Sequence, residues 1–343
     1  MNSKNAKNKK SIAVIAEKCG VSVMTVSRAL RNHTPVREVT RKRIIRMAEK
    51  LGYNHAIKTG RPARAMNGAA RPAVELVLGV SGRNIAMFYS ELIGSVEREL
   101  SRNGYDCIVR TYDGEYSDFL GLRDTLRKSP SQGLIITGSF MPEQLKALID
   151  VAPNSILLDN TGDIPASSLS FDNVEAARMA MKHLLETGRK KIVLLKGLQE
   201  HYFSKEIEQG YRDILNDSGI GIKKEYILNA DFTSNGAFEV LNSALERGLE
   251  FDAVFTNDEM ACGVYRALNG RSLKIPDDVA VCGCDGLPVG EQIMPSLSTV
   301  FLDYRELGRM AVENILNAHA SRHPCRIKLL PELRIRESTI KNK

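Results

Sequence analysis

Apolar residues recur along this chain with a helical period first and a mixed strand-and-helix rhythm later, and the change divides it. In residues 12–30, I-A-V-I-A-E-K-C-G-V-S-V-M-T-V-S-R-A-L, the side chains of Ile12, Ile15 and Ala16 keep a stripe at helical spacing. Gly20 offers the left-handed position that ends a helix, and Ser22 is placed to cap the next. Val21, Val26 and Leu30 are expected to face a small core. The pattern predicts two short helices and a tight turn, a helix-turn-helix whose second helix turns Val23, Met24, Thr25, Ser27 and Arg28 outward. Two hydroxyls, a guanidinium and two apolar side chains suit a major groove and its phosphates. Thr34-Pro35 breaks the chain, and a third helix is expected over about 37–51 with Val39, Ile44, Ile45, Ala48 and Leu51 apolar.

From residue 73 short apolar runs alternate with amphipathic stretches. Strands are expected at 74–80, 106–110, 133–137 and 155–159, with helices at 88–103, 118–128 and 142–151 between them. A second series places helices at 173–187, 204–218, 235–248 and 259–270 among strands at 191–196, 226–230, 253–256 and 279–283. Strand-helix alternation of this length is the rhythm of an α/β fold with a doubly wound parallel sheet. Two series imply two lobes, with a ligand cleft at the carboxyl ends of the strands.

Charge sharpens this division. The 343-residue chain carries a formal +7, but its first 72 residues hold 17 basic and 3 acidic side chains against 31 and 38 in the rest. A basic head on an acidic body is the footprint of phosphate-backbone binding, and it coincides with the helix-turn-helix. The opening M-N-S-K-N-A-K-N-K-K is basic, yet no apolar stretch of signal length follows it, and no run of eighteen apolar residues occurs. A cytoplasmic protein with no membrane partner is therefore expected. The six cysteines show no metal-type spacing; Cys282 and Cys284 sit in V-A-V-C-G-C, which reads as a buried strand. No metal or cofactor is expected.

The run G-V-S-V-M-T-V-S-R-A-L, followed by V-T-R-K-R-I-I-R-M-A-E-K-L-G-Y, resembles the headpiece of the lac-repressor (LacI/GalR) family of bacterial transcription regulators. The body resembles it too, in F-D-A-V-F-T-N-D-E-M-A-C-G-V-Y-R-A-L (251–268), I-P-D-D-V-A-V-C-G-C-D-G (275–286), P-S-L-S-T-V (295–300), E-L-G-R-M-A-V-E-N-I-L (306–316) and P-E-L-R-I-R-E-S (331–338). The resemblance implies a three-helix headpiece at 1–53, a basic hinge or linker at 54–72, and a two-lobed periplasmic-binding-protein-like body at 73–343 that binds an effector and dimerises. It implies a repressor that binds a pseudo-palindromic double-stranded operator as a homodimer. Arg28, Val23 and Met24 would read base edges beside Ser22, while Thr25, Ser27, Arg31 and Tyr53 hold phosphates. A small molecule, a sugar or sugar derivative, would sit in the cleft against Phe88, Tyr89, Ser139, Asp172, Asn257 and Asp285. For Asp172 and Asp285 the alternative is capping of a following helix, and for the two aromatics it is ordinary core.

Two departures stand out. The arginine that many members carry three residues before the glycine of G-Y is here Ile207, before Gly210. In the linker, no leucine occurs between Gly52 and Val74, where members carry a leucine wedge for the minor groove. Either Pro62 starts a shifted hinge helix with Arg64 and with Met66 as the wedge, or Gly60-Arg61-Pro62 acts as an AT-hook core with Arg61 in the groove. Of the rival functions, a dinucleotide enzyme lacks G-x-G-x-x-G, and no nucleophile, base and orienter are organised for catalysis. A solute-binding protein would share the body but has no use for the basic head.

Overall fold

The computed structural model describes residues 12–30, 38–51, 71–80, 87–114, 116–160, 164–317 and 323–340. Residues 54–70, which hold most of the expected linker, lie outside this set, and the choice between hinge helix and AT-hook lies there with them.

The headpiece is three helices, α1 (Ile12–Cys19), α2 (Val23–Leu30) and α3 (Glu38–Lys50). Gly20 adopts φ +60° after α1, the conformation that a residue without Cβ reaches at no steric cost. The Ser22 hydroxyl caps α2 by accepting from Thr25 N at 3.1 Å. Arg43 reaches back from α3 to donate to the Cys19 carbonyl at 2.8 Å. Ile15, Ala16, Cys19, Val26, Ala29, Ile44 and Ala48 form the core, with Val21, Met47 and Leu51 against it. Two expected core residues are exposed instead, Val39 at 82 % and Ile45 at 39 %. At about 100° per residue, Ile44 and Ala48 share a face from whose centre Val39 and Ile45 lie roughly 160° and 80° away.

In the body the chain runs β1 (Ala73–Gly79), α4 (Met87–Asn103), β2 (Asp106–Tyr112), α5 (Tyr116–Lys128), β3 (Leu134–Gly138), α6 (Pro142–Val151), β4 (Ser155–Leu158) and β5 (Ser168–Phe171). It continues through α7 (Asn173–Glu186), β6 (Ile192–Lys196), α8 (Tyr202–Asp217), β7 (Ile227–Asn229), α9 (Ser234–Glu246), β8 (Ala253–Phe255), α10 (Asp258–Asn269) and β9 (Ala280–Asp285). The last elements are α11 (Val289–Gln292), β10 (Ser298–Phe301), α12 (Tyr304–Leu316), β11 (Arg326–Leu329) and β12 (Glu332–Arg334). One sheet has the order β2-β1-β3-β4-β5-β11 and the other β7-β6-β8-β9-β10-β12. The central strands are buried along their length, as strands covered by helices on both faces must be.

The two expected series thus form two lobes, but the chain crosses between them three times. After β5 it enters α7, which packs on the second sheet, and after β10 it enters α12, which packs back on the first. The third crossing joins β11 to β12. β11 pairs parallel to β5, while β12 pairs antiparallel to β10, with Thr299 opposite Arg334. The reversal follows from geometry: both sheets aim their carboxyl ends at the cleft, so a segment running toward it in one lobe runs away from it in the other.

Candidate ligand pocket and nucleic-acid interface

A cavity of about 360 Å³ lies at the carboxyl ends of both sheets. Its lining comes mainly from positions just past a strand: Val80 after β1, Ser139 after β3, Asp159 after β4, Leu198 after β6, Asp231 after β7 and Asn257 after β8, with Asp285 closing β9. Helix starts supply the rest, including Phe88, Tyr89, Asn173, Tyr202, Glu259 and Tyr304.

Five of the six expected cleft residues, Phe88, Tyr89, Ser139, Asn257 and Asp285, therefore meet at one cavity. Asp172 does not line it; its Oδ1 caps α7 by accepting from Glu175 N at 3.1 Å, and its neighbour Asn173 takes the place at the wall. Asn257 does both, accepting from Met260 N at 2.9 Å while facing the cavity. Ile207 is buried on α8 and is not part of the wall. Asp159, His201, Tyr202, Asp231, Phe232, Glu259 and Tyr304 were not anticipated. Each lies within a few residues of a strand end or a helix start, the signal that could have found them.

Aromatic rings dominate the walls. Phe88 and Tyr89 have centroids 3.9 Å apart, Phe88 and Tyr304 6.3 Å, and His201 stands edge-on to Phe232 at 5.0 Å. Phe232 holds φ +68°, and a Cβ on Gly197 would fall 2.2 Å from its ring, so the missing side chain of Gly197 is what seats it.

The charged groups among the described wall residues are carboxylates, and neutral donors stand beside them. The Tyr304 hydroxyl donates to Asp285 Oδ1 at 3.3 Å, and that of Tyr202 to the Asp159 carbonyl at 2.5 Å. Glu259 Oε2, from the second lobe, accepts from the Met87 amide at the start of α4 in the first, at 2.8 Å. Burial pushes Asp159 up to about 6, and raises Asp285 further with help from the charges of Asp258 and Asp159. Beneath them the fully buried Asp258 accepts from Thr299 Oγ1 and Leu287 N, each at 2.6 Å, and burial lifts it to about 7. Burial lowers His201 to about 4, so its ring is neutral at pH 7. With Nδ1 accepting from Phe203 N at 3.3 Å, Nε2 carries its proton. Among the described lining residues there is no lysine or arginine.

On the headpiece, Val23 opens α2 and is 52 % exposed. Ser22 is exposed, but its oxygen serves the cap and lies 2.8 Å from the half-buried Thr25 hydroxyl. Met24, Ser27 and Arg28 belong to α2, with side chains outside the described set; Arg31, Tyr53, Arg61, Arg64 and Met66 lie outside it altogether.

Comparison with known proteins adds independent findings. Residues 11–55 match the family model of bacterial regulatory proteins, lacI family, and residues 77–336 match that of periplasmic binding proteins and sugar binding domain of LacI family. The chain is 28 % identical to catabolite control protein A of Priestia megaterium over 305 residues, covering 87 % of this chain and 89 % of that protein. The solved transcriptional regulator CelR-cellobiose complex superposes with a TM-score of 0.70 at 26 % identity, covering 96 % of this chain and 99 % of that one. The lac repressor dimer bound to operator and the anti-inducer ONPF shares the fold, with a TM-score of 0.70 at 22 % identity over 95 % of this chain and 98 % of that one.

Proposed function

This chain belongs to the lacI family of bacterial regulatory proteins, and from that premise we propose how it works as a DNA-binding transcriptional regulator, which is not an enzyme. It acts in the cytoplasm as a homodimeric repressor. Residues 1–53 form the DNA-binding headpiece, 54–72 the hinge and 73–343 the effector-binding and dimerising body. Two headpieces occupy the half-sites of a pseudo-palindrome, with Val23, Met24 and Arg28 at base edges, Ser22, Thr25, Ser27, Arg31 and Tyr53 along the backbone, and the segment of Arg61, Arg64 and Met66 at the minor groove between half-sites. Val23 and Met24 are apolar, so thymine methyl groups contribute to their readout. A small molecule in the cleft shifts DNA affinity by its differential affinity for the two lobe arrangements.

The observation that supports this most is the helix-turn-helix with an exposed Val23 on one chain with a cavity at the carboxyl ends of two sheets. Among the described residues no helix is long and apolar enough to cross a membrane. The test is selection of bound sequences from a random DNA pool with the full-length chain. The expected product is an inverted repeat whose recovery falls steeply with salt. Recovery of no sequence at low salt would favour a solute-binding protein instead. Arg28→Ala is expected to weaken binding to the selected site by about 1–3 kcal/mol and to relax one base position.

A further inference from the structure

The cavity is rich in carboxylates and holds no cationic side chain among its described lining residues. Asp159, Asp231, Glu259 and Asp285 line it, and its donors are neutral ones such as His201 Nε2 and the amide of Asn257, whose oxygen serves a helix cap. Asp231 turns Oδ1 onto Thr233 N at 3.0 Å, and Glu259 turns one oxygen onto Met87 N, so each keeps a second oxygen. Asn173, fully buried at the wall, supplies the independent observation. Its Nδ2 donates to Glu206 Oε2 at 2.8 Å, which fixes the amide orientation, and its Oδ1 meets no donor from the protein. A buried acceptor left without a donor costs about 1–3 kcal/mol, a cost that a ligand N–H or O–H at this point removes.

Carboxylates in a low-dielectric cleft repel one another, and each is costly to keep ionised without a cation. Phe88, Tyr89, Phe232 and Tyr304 bring aromatic rings to the same space, and a ring face attracts a cation. A neutral sugar satisfies the acceptors but leaves the charge uncompensated. An anion adds to it. Resting on the reading of this cleft as the effector site, we propose that its effector is a small organic cation, an amine or amino sugar whose ammonium sits among Asp159, Glu259 and Asp285 while its body lies on the aromatic walls. Asn173 Oδ1 takes one further donor of the ligand.

The test is thermal unfolding of the full-length chain with two matched series at equal millimolar concentration: glucosamine, glucose and glucuronate; tyramine, 4-hydroxyphenylethanol and 4-hydroxyphenylacetate. The cationic member of at least one series is expected to raise Tm by about 2 °C or more above its neutral partner, with no shift from the anion. Glu259→Gln is expected to cut that shift, read as the difference from its own ligand-free Tm; Asp285→Asn serves as the buried second variant. Equal shifts from the neutral member, or none from either cation, would overturn the proposal. So would a preference for the anionic member of either series. Operator binding is measured in parallel. Retention of DNA with a neutral effector sinks this inference alone, whereas loss of all DNA binding sinks the regulatory reading and leaves the charge preference standing.

Discussion

The two lobes wind identically and differ in what they place at the cleft. Reading β2-β1-β3-β4-β5 against β7-β6-β8-β9-β10, the strand orders match position for position. The first lobe contributes Val80, Phe88, Tyr89, Ser139 and Tyr304 with one carboxylate, Asp159; the second contributes His201, Tyr202, Phe203 and Phe232 with three, Asp231, Glu259 and Asp285. Second-lobe groups also cap the following helices: His201 caps α8, Thr233 caps α9 and Asn257 caps α10. In the first lobe, α6 starts without a polar cap residue, and Gln144 on the helix itself accepts from Met141 N at 2.9 Å. Topology therefore places strand ends around a cavity, while the choice of residue there sets its field. Both lobes supply aromatic surface to lie on, and the second supplies most of the charge.

The floors of the two lobes are built differently as well, and this is where the comparison is easiest to break. In the first lobe Gly138 holds φ +86°, and a Cβ on it would stand 2.1 Å from the Gly79 carbonyl, an approach of backbone on backbone. In the second lobe a Cβ on Gly283 would meet the Asp258 carboxylate at 2.1 Å, a side chain that is itself held by Thr299 and Leu287. Gly138→Ala combines a left-handed φ with an immovable neighbour, so it is expected to lose about 3 kcal/mol or more in urea unfolding of the full chain. Asp258→Ala strips the partner from two buried donors while removing a costly charge. Its expected loss is smaller, about 2 kcal/mol. Equal losses would mean that the second-lobe floor is as rigid as the first.

Much of this was legible in the sequence, for identifiable reasons. Long periodic segments such as α7 and α10 were found within a residue or two, because an amphipathic stripe of three turns has few other readings. β5 and β10, at four residues each, went unplaced, since S-L-S-F and S-T-V-F carry too little pattern to separate from loop. Asp172 and Asn173 were exchanged because a helix cap and a cavity wall demand the same polar chemistry one residue apart. Asp231, Phe232 and Glu259 follow from where strands stop, and apolar alternation carries no mark of a strand's last residue.

A pH dependence sharpens the second-lobe side. Asp258 and Asp285 have folded-state values raised above their unfolded ones, so the folded state binds protons more tightly and stability falls as pH rises through the folded values. Burial lowers His201 and His183, which act the other way by favouring unfolding below about pH 6.5. Between pH 8 and 6.5 the carboxylates dominate, and the chain is expected to gain about 1 kcal/mol on acidification. Urea midpoints at the two values measure it, and Asp258→Asn should flatten the trend. A midpoint that rises with pH would show that the second-lobe acids are not the buried, unneutralised groups described above.

The smallest effect concerns one of the bonds between the lobes, Glu259 to the Met87 amide at the first residue of α4. A carboxylate at a helix start gains from both the free N–H and the helix dipole, but Met87 is exposed, and water competes for the same amide. Glu259→Ala should therefore change global stability by less than about 1 kcal/mol. Its readout is local: hydrogen exchange at Met87 is expected to quicken several-fold, while amides in β3 and β8 keep their protection. Unchanged exchange at Met87 would mean that this bond does not hold the lobes together in solution. The charge of Glu259 would then belong to the cavity alone.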